Sequence, residues 1–295
     1  MGFFCASTES TLRAFQQARG LRVTGCCDED TWTAIVEASW KLGDRLLMLA
    51  APNLRGDDVG ELQAMLARLG FDSGRVDGIL GPKTIRALCD FQHNCGLYVD
   101  SVCGPDTVRA LRVLARQTGT GPGVTALREH EALTASARSL AQLRIVVGQF
   151  GGLSALSRQL VQALRHRSAT VAATDEPDSA SQAATANRFA AAVYIGFEAQ
   201  ASAPSTVHFY QVPQFESAGG RALATLIAEQ CEQLVDGIRP AVEGMRLPVL
   251  RETRMPAVLL SVGPVQDVLD HGPQMVTAVI TALELWAGSA RLPRL

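Results

Sequence analysis

Apolar residues fall in two rhythms along the chain. Across residues 57–69 they stand at Val59, Leu62, Met65, Leu66 and Leu69, three and four apart, so that one face of an α-helix becomes apolar. The second half instead alternates short apolar runs with helical stretches. Residues 144–147, 170–173, 192–195, 206–211, 249–251 and 257–262 are too short for helices and mostly rich in β-branched side chains, which predicts strands. Residues 154–167, 179–191, 218–235 and 274–287 predict helices, the first with Leu156, Leu160, Val161 and Leu164 on one face. This alternation predicts a three-layer α/β domain with a mostly parallel sheet.

Residues 1–115 show helical patterning and an internal repeat. Residues 11–25 match residues 84–100. In each copy an amphipathic helix ends in Phe-Gln, Phe15-Gln16 or Phe91-Gln92, and a glycine stop follows, Gly20 or Gly96. A second helix then starts, at residues 28–32 in one copy and 104–108 in the other, where Pro105 and the nearby acids suit a first turn. The second copy also has an upstream part: the helix of residues 57–69, then Val76-Asp77-Gly78 and Gly81-Pro82-Lys83-Thr84, a glycine turn into a further helix. The first copy keeps only its downstream half, residues 10–38. Lacking the upstream helix it exposes an apolar face, so the expectation is a start codon lying further upstream, with a vestigial module as the alternative.

Composition narrows the function. A length of 295 residues suits about two domains. A formal net charge of -2 supplies no basic field, which argues against a nucleic-acid partner. Seven cysteines, an odd number with no CxxC pair, argue against a disulfide framework and a structural zinc site. No apolar run approaches the roughly 20 residues of a transmembrane segment, and residues 1–8 do not read as a signal peptide. The expected location is the cytoplasm.

Leu62-Gln63, Leu69-Gly70, Val76-Asp77-Gly78, Gly81-Pro82-Lys83-Thr84, Phe91-Gln92 and Gly104-Pro105-Asp106-Thr107 together resemble the peptidoglycan-binding-domain-1 family. The resemblance implies all-α three-helix modules, a partial one at residues 1–40 and a complete one at 55–115, followed by a linker at 116–142. Residues 143–290 resemble the amidase-3 family of N-acetylmuramoyl-L-alanine amidases. The matching signals are Gly151-Gly152 after the first strand, residues 183–187 ending in Asn187 before the third, and residues 250–263 around Arg251 and Pro256. The expected fold class is thus α+β multidomain, all-α modules ahead of an α/β amidase-like domain.

Active amidase-3 members hold zinc with a histidine after strand one, a glutamate opening the next helix and a histidine ending strand three, and use a glutamate on the last strand as acid/base. The resemblance places Phe150, Leu153, Glu198 and Ser261 at those four positions. Catalytic zinc wants three protein ligands and an open position, and a carboxylate must move the proton. Phe and Leu offer no lone pair, so the expectation is no metal, no cofactor and no catalytic residue. His208 and His166 show no ligand spacing that would rebuild a site. Gly148-x-x-Gly151-Gly152 fits a dinucleotide fingerprint poorly, because Phe150 stands where glycine is required. Ser261 lacks the G-x-S-x-G elbow of a serine hydrolase. Phe150, Glu198 and Arg251 remain candidates for binding a muropeptide, the alternative being that Phe150 fills the vacated metal pocket.

Binding modules ahead of a ligand-stripped amidase-3 domain resemble an actinobacterial group of non-catalytic regulators of peptidoglycan biosynthesis. The resemblance implies as partners peptidoglycan or its precursors, a peptidoglycan-synthesis enzyme and a Ser/Thr protein kinase, with Thr118, Thr120 and Thr125 as acceptor candidates. The alternatives are an amidase with a displaced site and a wall-binding module acting outside the cell.

Overall fold

The computed structural model describes residues 4–115, 124, 139–201, 203–213 and 215–288. The helical half and the sheet half form separate compact units. The expected linker, its Gly/Thr/Pro stretch at 117–123, the helix expected over 128–143 and the three threonine acceptors lie outside the described residues, save for residue 124 and a short 3-10 turn at Leu140–Gln142.

Among the described residues five helices build the first unit: α1 (Ala6–Ala18), α2 (Glu29–Ala38), α3 (Asp57–Arg68), α4 (Pro82–Asn94) and α5 (Pro105–Ala115). The apolar face of α3, with Val59, Leu62 and Leu66, packs with Leu88 and Phe91 of α4 and Val108 and Leu111 of α5 in one core. Three buried glutamines then join each helix to the turn that follows it. Gln16 Nε2 donates to Thr31 Oγ1 (3.0 Å) and Cys26 O (2.9 Å), and its Oε1 accepts from Gly25 N. Gln63 makes the same set with Thr84 Oγ1 (3.2 Å), Ile79 O (3.0 Å) and Gly78 N. Gln92 makes it with Thr107 Oγ1 (3.2 Å), Val102 O (3.0 Å) and Ser101 N. A buried carboxamide needs both its donors and its acceptor satisfied, and the turn backbone supplies them. The repeat therefore occurs three times, with α4 shared between two copies. Aligning Gln16 with Gln92 and Thr31 with Thr107 sets Thr8, not Thr11, opposite Thr84, which corrects the sequence alignment by three residues.

The second unit runs β1 (Arg144–Phe150), α6 (Ser154–His166), β2 (Thr170–Thr174), α7 (Ser179–Arg188), β3 (Val193–Ala199), β4 (Thr206–Val212), β5 (Phe215–Glu216), α8 (Ala218–Leu234), β6 (Ala241–Met245), α9 (Pro248–Glu252), β7 (Ala257–Val262) and α10 (Val265–Gly288). The sheet order is β2-β1-β3-β7-β4-β5, with β6 also on β4. The β1–β2, β1–β3, β3–β7 and β4–β6 pairs are parallel, and β4–β7 is antiparallel. Ile145, Val147, Ile195, Phe197, Val258 and Leu260 share one core with α6, α8 and α10. The alternate residues face α7, whose Gln182 bonds Tyr194, and α9, which packs on α7. These are the three layers expected of the α/β half.

Three expectations change. Residues 249–251 are not a strand but lie in helix α9, opened by Pro248. Val249 and Leu250 are buried because that turn packs on α7, and a short apolar run does not by itself distinguish a strand from a buried helical turn. Asn187 of α7 fixes the exit from it, donating to Glu252 O and accepting from Arg254 N, both at 2.9 Å. Next, β5 and β6 carry too little apolar pattern to have been read; β6 is mostly exposed. Last, α10 begins at Val265 and continues across Pro273, where a proline ordinarily ends a helix. Among the described residues no helix is long and apolar enough to cross a membrane.

Candidate functional site

Phe150 closes β1, Glu198 lies near the end of β3 and Ser261 near the end of β7. Because β3 sits between β1 and β7, the parallel registers set Phe150 opposite Glu198 and Glu198 opposite Ser261. Cross-strand partners share a face, so residues far apart in sequence form one row. It lies on the α7/α9 side, at the carboxyl edge of the parallel strands, where α/β folds build their sites. Ser261 is buried, and Glu198 and Phe150 are half-buried. Ser261 Oγ donates to Glu198 Oε2 at 3.0 Å.

Below the row the space is filled. The Tyr194 hydroxyl donates to Gln182 Oε1 at 2.7 Å, and Gln182 Nε2 donates to Gln149 O (3.0 Å) and Glu176 O (2.6 Å). A β-carbon at Gly148 would collide with Tyr194 Oη and Gln182 Oε1, and one at Gly196 would stand 3.0 Å from Tyr194 Oη. The phenol thus lies over two glycines in register on β1 and β3. Burial pushes its pKa up, so it stays a neutral donor. Sequence reasoning passed over Tyr194 and Gln182. The available signal was the pair Gly148 and Gly196, glycines inside strands that mark a close approach.

The other candidates go elsewhere. Leu153 sits at the N-cap of α6, and its side chain joins the core on the opposite face. Gly151 and Gly152 have φ of +71° and +78°, left-handed conformations that glycine adopts without strain, and they turn the chain from β1 into α6. Arg251 is buried in α9, on the same side of the sheet as the row but outside it. His208 lies on β4 opposite Leu259, with Nδ1 3.9 Å from Glu243 Oε2. His166 is exposed at the end of α6.

Zinc chemistry is tested by this donor set. A catalytic zinc needs three nitrogen, sulfur or carboxylate ligands converging on one point. The row offers an aromatic ring, one carboxylate and a hydroxyl already bonded to that carboxylate. Among the described residues no group of three or more His, Cys, Asp or Glu side chains could hold a metal ion. The residues present do not fit a zinc site. What they can do is accept and donate hydrogen bonds beside an aromatic face.

Comparison with known proteins follows the same division. The family described as "Putative peptidoglycan binding domain" matches residues 1–35 and 55–111. N-acetylmuramoyl-L-alanine amidase CwlM of Mycobacterium tuberculosis is 34% identical, over 95% of this chain and 76% of its own length. The spore cortex-lytic enzyme of Oceanobacillus iheyensis is 49% identical over 45 residues, 15% of this chain and 16% of that protein. Among solved structures, the N-acetylmuramyl-L-alanine amidase Ami1 of Mycobacterium smegmatis aligns with a TM-score of 0.42 at 13% identity, covering 51% of this chain and 99% of that one.

Proposed function

The chain belongs to the CwlM family, peptidoglycan-binding helices joined to an amidase-like domain, and from that membership we propose that it is a non-catalytic regulator of peptidoglycan biosynthesis. The observation that carries this reading is the row Phe150–Glu198–Ser261. By the amidase-3 resemblance it stands where an active member gathers zinc and its acid/base, and its one carboxylate is bonded to Ser261. On this reading the row supplies neither a zinc ligand set nor a free acid/base pair with which to activate water against an amide.

On this reading the helical modules recognise peptidoglycan or its precursors. Phe150 offers a ring for stacking, while Glu198 and Arg251 offer polar groups to a muropeptide fragment. The effect is exerted on a peptidoglycan-synthesis enzyme in the cytoplasm, with a Ser/Thr protein kinase setting its strength. The test adds the purified chain, before and after kinase treatment, to the enzyme that makes the first committed precursor. A rise in its rate with either form supports the reading; an unchanged rate with both overturns it. The second reading, an active amidase with a displaced site, has the name of the CwlM relative in its favour.

A further inference from the structure

Between α6 and β2, at the free edge of the sheet, lies a groove of about 530 Å³. Its lining includes Arg158, Gln162, Arg165 and His166, all exposed, above the buried Ser157 and Val161. The four exposed residues recur three and four apart, so they share one side of the helix. No aspartate or glutamate is among the lining residues, and Asp175 and Glu176, the next acids in the chain, come after the end of β2. In a chain of formal net charge -2 this is a local concentration of cations.

Helix electrostatics accounts for only part of it. Arg165 and His166 lie in the last turn of α6, where cations offset the negative end of the dipole. Arg158 lies in the second turn, where the dipole does not favour it, and its guanidinium makes no hydrogen bond or ion pair with another described residue. Arg167, by contrast, is held by Glu284 at 3.0 Å. The sheet edge adds a donor. Thr170 N donates to Leu143 O, so the even-numbered residues of β2 bond to β1, and Val171 and Ala173 turn their backbone groups outward. Ala173 lines the groove and offers its N–H there. Arg165 Nη2 donates to Val171 O at 3.3 Å, which blocks an added strand at that point and favours a compact ligand over an extended peptide.

We propose that the α6–β2 groove binds the phosphate groups of a diphosphate-bearing ligand. A guanidinium fork pairs two phosphate oxygens at once, and the Ser157 hydroxyl, the Gln162 amide and Ala173 N–H are further donors. Arg158 and Arg165 stand about 10 Å apart along the helix axis, so their long side chains can close on a diphosphate from its two ends. Val161 and Ala173 give the rest of the ligand an apolar wall. Ala173 is in register with Val147, which shares the core with α6. The groove is thus on the opposite face of the sheet from the Phe150–Glu198–Ser261 row, and the proposal does not rest on the regulatory reading above.

The test titrates the full chain with inorganic diphosphate by calorimetry at about 0.15 M salt, where the general surface field is screened. Saturable one-to-one binding is expected. Arg158→Ala and Arg165→Ala should each weaken it about tenfold, as loss of a charge-assisted bond demands, and Gln162→Glu should abolish it. Arg167→Ala, outside the groove, should leave it unchanged. Far-ultraviolet spectra check the fold of each variant; if Arg165→Ala unfolds, Gln162→Glu still decides. A second arm uses phosphatidylcholine vesicles carrying a prenyl diphosphate. Binding of free diphosphate supports the site with a soluble ligand, and binding of the vesicles alone, lost in Gln162→Glu, supports it with a lipid headgroup. No binding of either at millimolar diphosphate overturns the proposal. So does binding that persists in Gln162→Glu, or succinate binding as tightly as diphosphate.

Discussion

Ser261 Oγ donates to Glu198 Oε2 at 3.0 Å across two neighbouring parallel strands. In a zinc amidase of this architecture the corresponding edge would bring a metal ligand and a catalytic carboxylate together. Here the same register joins a carboxylate to a hydroxyl, a bond that ties the two strand ends together. Ser261→Ala should therefore cost about 1 kcal/mol, the usual net value of such a bond, measured by urea unfolding. A variant as stable as the parent would show that the bond contributes nothing.

The filled floor under the row makes a sharper demand. Gly148→Ala places a β-carbon against Tyr194 Oη and Gln182 Oε1 and should destabilise by about 2–3 kcal/mol, in the range of overpacked cores. Tyr194→Phe alone should cost about 1 kcal/mol through the orphaned Gln182 acceptor. Combined, the two should cost less than their sum, because one of the colliding atoms is gone. Strict additivity in thermal unfolding would mean that the phenol does not lie over Gly148.

How much of this was legible beforehand follows from periodicity. The helix of residues 57–69 and the strand of 257–262 are each set by a local rhythm, and α3 and β7 appear within a residue of expectation. Phe150, Glu198 and Ser261 were identifiable one by one from the amidase-3 resemblance. Their adjacency depends on β7 inserting between β3 and β4, a long-range pairing that no local pattern encodes. Residues 249–251 misled because a three-residue apolar run carries no period. Phe15-Gln16 and Phe91-Gln92 stood out as a repeat, but the reason for the glutamine is a set of bonds to a turn up to some ten residues downstream. Without those bonds Leu62-Gln63 does not read as a third copy.

That glutamine role is open to measurement. Gln63 donates to Asp77 Oδ1, Ile79 O and Thr84 Oγ1 and accepts from Asp77 N and Gly78 N. Gln63→Ala leaves several buried partners unsatisfied and should cost about 2–4 kcal/mol, followed by the loss of helical circular dichroism in urea. Gln63→Glu should not rescue it, since a carboxylate has no donors.

Thiol chemistry separates the cysteines. Cys5 is exposed at the N-cap of α1, where the Ser7 and Thr8 hydroxyls and amides lower its pKa to about 6. Burial pushes Cys103 up to about 12 and Cys231 up to about 11. The thiolate is the reactive form, so alkylation of Cys5 by iodoacetamide should be half-maximal near pH 6 and level off above it. Cys103 and Cys231 should stay unmodified at pH 7 in the folded chain. A Cys5 profile still rising through pH 8 would contradict the hydrogen-bonded thiolate.

The central claim, that the amidase-like domain does no amide hydrolysis, is tested most directly by zinc content and muropeptide cleavage on one preparation. The chain is purified, supplied with zinc, dialysed, assayed for metal by mass spectrometry and incubated with a muropeptide. The predicted result is well under one zinc per chain and no release of the stem peptide. One zinc per chain together with cleavage would contradict the claim and place a working site away from Phe150, Glu198 and Ser261.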